Sequence, residues 1–178
     1  MLHNHNIEFR EFDRDYAYAK HYKPVEKFPE DSRATFQGYK RADGRAGTRN
    51  FISIVSTVNC SATVVHAIAD HFNEERLSQY PNVDGVAAFS HNTGCGMELT
   101  GEPMDLLHRT LAGYIKHPNV AGSLVVGLGC ERCQVGGLFE TQKLQPDQTL
   151  RTLVMQEAGG TRQTILRGIS IIEELLEI

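Results

Sequence analysis

Four cysteines stand at 60, 95, 130 and 133, and the first three are evenly spaced, 35 residues from 60 to 95 and 35 from 95 to 130. Each of the three follows a short apolar run. Residues 51–58 lead into Asn59-Cys60-Ser61, residues 85–90 into His91-Asn92-Thr93-Gly94-Cys95-Gly96, and residues 123–128 into Gly129-Cys130-Glu131-Arg132-Cys133-Gln134. Thiolates bind soft and borderline metals and iron–sulfur clusters. Three around one ion leave a position open for a substrate oxygen, which Lewis-acid catalysis requires. If the three runs are strands of one sheet, Cys60, Cys95 and Cys130 converge on one edge and are expected to ligate a metal there. Helix N-termini beside them would favour the thiolate. The plain alternative is three small apolar side chains packed under tight loops, since free cysteine is commonly buried.

Other motifs compete for the same residues. Cys130-Glu131-Arg132-Cys133 has the C-x-x-C spacing of a dithiol redox pair. Against that reading, two further cysteines occupy analogous places. A structural zinc site would show a second C-x-x-C or paired histidines, and neither is present. Gly127-Leu128-Gly129 lacks the third glycine of a dinucleotide fingerprint, because Arg132 stands there.

Around the thiols, His91 is a candidate base, metal ligand or loop-locking hydrogen bonder. Glu131 is a candidate proton-transfer group, although a carboxylate at a helix start is favourable without any function. Arg45 and Arg49 are candidate clamps for a substrate carboxylate, yet they enter at the amino end of the first strand, away from the cysteines. Asn59 and Gln134 are the remaining expected substrate contacts. His66, His71, His108 and His117 read as solvated or capping residues on helix surfaces.

Positioning these residues requires a regular scaffold. Residues 51–58, 85–90, 123–128 and 150–155 read as strands. Helices are predicted from Ser61, as its cap, to about Leu77, then from Pro103 with Leu106, Leu107, Leu111 and Ile115 on the apolar face. A weaker helix spans 134–144, and a last one from Thr161 carries Ile165, Ile169, Ile172 and Leu176. Alternation of strand and helix implies an α/β fold: an open, mostly parallel sheet of about four strands with helices on both faces, Rossmann-like. Ligands in such sheets bind beyond the carboxyl ends of the strands. Strand order does not follow from the pattern. Residues 1–35 read as an extended N-terminal arm or linker with one short helix at 16–21, and residues 36–178 as the α/β core domain. Asp43-Gly44 is turn chemistry.

Composition bounds the partners. A formal charge of −4 without a basic block argues against nucleic acid and against an anionic membrane surface. No apolar run reaches membrane-spanning length, and the polar start Met1-Leu2-His3-Asn4-His5-Asn6 has no signal-peptide core. The expected compartment is the cytoplasm.

The loops taken together carry a resemblance. Residues 36–50, running from Phe36-Gln37-Gly38-Tyr39 to Gly47-Thr48-Arg49-Asn50, are followed by Thr57-Val58-Asn59-Cys60, Tyr80-Pro81-Asn82-Val83-Asp84-Gly85 and His91-Asn92-Thr93-Gly94-Cys95. His117-Pro118-Asn119 and Gly127-Leu128-Gly129-Cys130-Glu131 with Gln134 complete the set. In that order these closely resemble the second domain of the altronate/galactarate dehydratase family, over residues 36–178. The resemblance implies a hydro-lyase acting on a sugar acid, altronate or galactarate, to give a 2-keto-3-deoxy acid, with iron as cofactor, either Fe2+ or an iron–sulfur cluster. It carries cysteines at 60, 95 and 130 and leaves Cys133 at a variable position. A small domain ending in a pattern like His3-Asn4-His5-Asn6 and a large following region are implied as partners within the same enzyme. This part alone is expected to be inactive and to self-associate, a homodimer being one form. A sulfolactate-cleaving branch of the family makes a C–S lyase the first alternative. A metal- or ligand-binding module without catalysis and a dithiol redox protein are the others.

Overall fold

A computed structural model describes residues 24–177. The described residues fall into two units, one ending at Thr35 and one beginning at Phe36. Within the described residues of the first lies a 3-10 turn, Glu30–Ser32. The short helix expected at residues 16–21 and the His3-to-Asn6 pattern lie outside the described residues.

The second unit opens with a two-stranded antiparallel hairpin, β1 (Tyr39–Lys40) and β2 (Ala46–Gly47). Its turn contains Gly44 at φ +85°, a left-handed conformation that glycine adopts without a Cβ clash. The main sheet follows: β3 (Phe51–Ser56), β4 (Gly85–Phe89), β5 (Val120–Gly127) and β6 (Leu150–Val154). All pairings are parallel, and the order is β4-β3-β5-β6. The α/β reading with a four-stranded parallel sheet therefore holds. The central strands β3 and β5 are buried on both faces, which is why apolar residues fill consecutive positions rather than alternate ones; the buried Ser53 and Ser123 hydroxyls are bonded to each other at 2.7 Å.

Among the described residues six helices connect and cover the strands: α1 (Ala62–Asp70), α2 (Glu74–Leu77), α3 (Glu102–Ile115), α4 (Val135–Gln142), α5 (Met155–Ala158) and α6 (Thr161–Leu176). On one face, Val64, Val65 and Ile68 of α1 and Ile172 and Leu175 of α6 pack on Ile52, Ile54, Leu124 and Val126. On the other, Met104, Leu111 and Ile115 of α3 and Leu138 and Phe139 of α4 pack on Val55 and Val125. Gly168 lets α6 approach α1, since a Cβ there would lie 2.3 Å from Ile68 Cδ1. No helix among the described residues is long and apolar enough to cross a membrane.

Three expectations need correction. The single helix from Ser61 to Leu77 is two helices. Asn73 adopts extended backbone and its side chain accepts from Arg76 N, so it caps a new helix instead of continuing the old one. Ser61 is not a side-chain cap. Its hydroxyl donates to the carbonyls of Val58 (2.9 Å) and Val126 (3.1 Å), tying β3 to β5. On α3 the buried face is rotated from the predicted one: Leu106 is 44% exposed, whereas His108, expected on the surface, is 5% exposed. The ring fits inside because its Nδ1 donates to Thr141 Oγ1 at 2.8 Å, and that hydroxyl donates onward to Gly137 O.

Candidate functional site

The chain runs from β3 outward to β4, then crosses back over β3 to β5 on the other side. The connections leaving the carboxyl ends of β3 and β5 thus diverge in opposite directions, and the crevice between such strands is where open α/β sheets bind ligands. Thr57, Asn59 and Cys60 leave β3 at this point, and residues 128–134 leave β5.

Glu131 sits in the crevice floor, 3% exposed. Its Oε1 accepts from Thr57 Oγ1 (2.9 Å) and Leu128 N (3.0 Å), and its Oε2 from Gly129 N (2.6 Å). Those bonds give the buried carboxylate a hydrogen-bonded environment. Gly127 makes the fit possible, because a Cβ there would lie 2.6 Å from Glu131 Oε1. The Gln134 amide donates to the carbonyls of Gly129 (3.2 Å) and Glu131 (2.7 Å). Glu131 and Gln134 together hold the loop after β5 in shape.

His91 is committed at both ring nitrogens. Thr93 N donates to Nδ1 at 3.2 Å, so the ring proton is on Nε2, which donates to Ser56 O at 3.1 Å. Burial lowers its pKa, opposed by the bond to Ser56, and the neutral tautomer fits this wiring. A general base needs a free lone pair, and in this arrangement the Nδ1 lone pair is occupied by the Thr93 amide.

Backbone bonds sew the three loops together. Asn59 N donates to Thr93 O (3.0 Å). Gly94 O accepts from both Arg132 N (2.9 Å) and Cys133 N (3.0 Å). Gly94 lies at φ +94°, and a Cβ there would meet Thr57 O at 2.2 Å, so the contact requires glycine twice over. Cys60, Cys95 and Cys130 are borne on these joined loops, all at the carboxyl edge of the sheet, and all three are exposed and free. Cys60 Sγ contacts Asn59 Oδ1 at 3.6 Å.

Cys133 differs. It is fully buried beside Val55, Met104 and Leu138, and burial together with the Glu131 charge pushes its thiol up to about 12. Thiol–disulfide exchange needs a thiolate, so Cys133 is a poor half of a redox pair with Cys130. For iron, the donor chemistry of three solvent-facing thiols is suitable. Their placement is not that of a finished site: among the described residues no three His, Cys, Asp or Glu side chains are grouped to hold one ion.

The arginines lie elsewhere. Arg45 is paired with Asp43 (2.7 Å) and donates to Lys116 O, and Arg49 is paired with Asp84 (3.3 Å). Both stand at the amino edge, opposite the cysteines. So does much of the motif set. Arg41 donates to Pro118 O (2.7 Å) and Asn50 Oδ1 (2.8 Å), Asn119 Oδ1 accepts from Thr48 N (2.9 Å), and Asp84 Oδ2 accepts from Asn50 N (2.5 Å). The quoted motifs therefore divide into an amino-edge knot that pins the hairpin and a carboxyl rim that carries the thiols. Sequence reasoning missed Thr57 and Ser61, whose hydroxyls lock the rim from within; a strand-end hydroxyl has no spacing signature.

The altronate dehydratase of Bacillus subtilis (strain 168) is 30% identical over 143 residues, covering 80% of this chain and 28% of that protein. The altronate dehydratase of Escherichia coli (strain K12) is 33% identical over 141 residues, covering 79% and 28%. The galactarate dehydratase (L-threo-forming) of Escherichia coli (strain K12) is 38% identical over 113 residues, covering 63% and 22%. The chain thus spans under a third of the length of these relatives. No solved structure matches it. The family model described as D-galactarate dehydratase/altronate hydrolase, second domain, matches residues 38–178, and the chain belongs to that family.

Proposed function

We propose that this chain is the rim-bearing domain of a hydro-lyase that removes water from a sugar acid, altronate or galactarate, leaving a 2-keto-3-deoxy acid. The observation that carries the reading is the family match over residues 38–178, on a domain whose three free thiols share one rim at the switch point. In the reaction a base takes the proton beside the carboxylate, the neighbouring hydroxyl leaves with a proton from an acid, and the resulting enol becomes the keto acid.

Within this domain the roles divide by accessibility. Asn59, Cys60, Cys95 and Cys130 are exposed at the rim and are the groups that meet substrate or metal. Iron is the proposed cofactor, with those three thiols as the donors this chain offers and the remaining ligands from outside it. His91 and Glu131 are positioning residues, since every atom they would use on a proton is engaged by the rim's own backbone or by Thr57. Proton transfer then falls to parts of the enzyme beyond this chain. The remaining domains of the same enzyme are the proposed partners, and the cytoplasm is the proposed compartment.

Anaerobic purification of the intact enzyme, with iron and sulfide quantified, followed by altronate, galactarate and sulfolactate as substrates, tests this reading. Dehydration of a sugar acid, with iron lost in Cys60→Ser, Cys95→Ser and Cys130→Ser variants, is the expected result. Full iron content in all three variants would end the thiol assignment. Turnover of sulfolactate alone would transfer the reading to C–S cleavage.

A further inference from the structure

At the amino edge, opposite the rim, lies a cavity of about 530 Å³ between the β1–β2 hairpin, the end of α3 and the end of α4. That volume is within the range of small-molecule sites. Its charges are unbalanced. Four cations, Lys40, Arg41, Lys116 and Lys143, line it, together with Arg45. Of the two carboxylates in its wall, Asp43 is spent on Arg45 (2.7 Å). Asp147 is turned to its own loop, where Oδ1 accepts from Thr149 N (2.7 Å), Thr149 Oγ1 (2.8 Å) and Leu150 N (2.8 Å). Among the described residues Arg41 is held by neutral acceptors: Pro118 O (2.7 Å), Arg49 O (3.2 Å) and Asn50 Oδ1 (2.8 Å). Lys116 Nζ likewise donates to a carbonyl, Gln142 O, at 2.8 Å. Five cations against these two carboxylates leave an excess of positive charge in the concavity, in a chain of net charge −4.

Lys143 supplies an independent sign. It is the one non-glycine residue at positive φ among those described, φ 51° and ψ 45°, at the C-cap of α4. Glycine is the ordinary occupant of that position, and an L side chain there is strained. The residue that bears the strain is a lysine lining this cavity. Local strain of this kind is retained at ligand clamps, where the side chain is needed.

We propose that this amino-edge cavity binds a small polyanion, a molecule presenting two or more carboxylate or phosphate groups to Arg41, Lys116 and Lys143, with Lys40 also in its lining. The site is separate from the carboxyl rim and independent of the dehydration reading.

Calorimetric titration of the full chain with inorganic pyrophosphate and, separately, with citrate tests it. Saturable binding of one per chain is expected, weakened by added salt. Citrate binding alone marks a polycarboxylate ligand, pyrophosphate binding alone a phosphate one, and either supports the site. Lys143→Gly should weaken affinity about tenfold while raising the melting temperature, a combination that a structural role for the lysine does not produce. Lys40→Gln should weaken binding without moving stability, and Arg76→Gln, outside the cavity, should do neither. Failure of both anions to bind overturns the proposal, as does binding that Lys143→Gly and Lys40→Gln leave unchanged.

Discussion

The Thr57 hydroxyl donates to Glu131 Oε1 at 2.9 Å, closing the end of β3 onto the loop after β5 across the switch point. The carboxylate's three donors are all buried or half-buried. Glu131→Ala would leave a hydroxyl and two amides, buried or half-buried, without their acceptor. The expected loss is about 3 kcal/mol of stability, and about 1 kcal/mol for Thr57→Val, which removes one donor. Urea denaturation of the two variants beside the parent measures both. An unchanged midpoint for Glu131→Ala would show that the loop after β5 is held by other means.

Stability should fall as pH drops from 7 to 5. Burial is the main cause lowering the pKa of both His91 and His108 below the ordinary 6.5, opposed by the Ser56 bond in the first and by Asp105 in the second. A depressed histidine is neutral when folded and protonates first in the unfolded chain, so the unfolded state binds more protons and gains as pH falls. The contribution is complete above the unfolded value and is lost as pH falls through the folded ones. His108 Nε2 is buried with no hydrogen-bond partner among the described residues, so charging it strands a cation. Denaturation midpoints from pH 8 to 5 should show this slope, and His108→Gln should flatten it. A profile identical in that variant would remove His108 from the account.

Native thiol labelling should divide the cysteines three to one. Cys60, Cys95 and Cys130 are exposed, and Cys133 is buried with its thiol pushed up to about 12. At pH 8 the thiolate fraction at Cys133 is about one in ten thousand. Intact-mass analysis after alkylation should show three adducts in buffer and a fourth only in denaturant. Rapid labelling of Cys133 in the folded chain would reopen the dithiol reading.

Gly94→Ala should cost about 3 kcal/mol or more. The added methyl meets Thr57 O at 2.2 Å, backbone that cannot rotate aside, and the φ of +94° is strained for alanine. Amide hydrogen exchange should rise at Arg132 and Cys133, whose N–H groups both end on the Gly94 carbonyl. Exchange confined to residues 91–97 would mean the loops are held independently.

The alternation of apolar runs and helices was legible because β3 and β5 are covered on both faces, and the strands fell within a residue or two of their predicted ends except where β5 starts earlier, at Val120. The placement of Cys60, Cys95 and Cys130 at one edge followed from parallel strands alone. Strand order did not, since the crossover from β4 back past β3 leaves no mark on either strand's own residues. The break at Asn73 was missed because no glycine or proline marks it; the new helix is set by the Asn73 side chain accepting from Arg76 N. The exchange of Leu106 for His108 was missed because a histidine with a hydroxyl partner on α4 is a tertiary event. The division of the motif residues between two edges was equally invisible: Asp84 and Asn119 carry polar side chains of the kind that binds ligands, and only their amide partners show that they fasten backbone.

The doubly accepting carbonyl of Gly94 makes the neighbouring cysteines a single mechanical unit. An oxidant or electrophile that displaces Cys95 pulls on the turn bearing Cys130 through one peptide group. The loops that carry these two sulfurs therefore share a single backbone fastening, and a chemical change large enough to move one loop has to break or carry those two bonds with it.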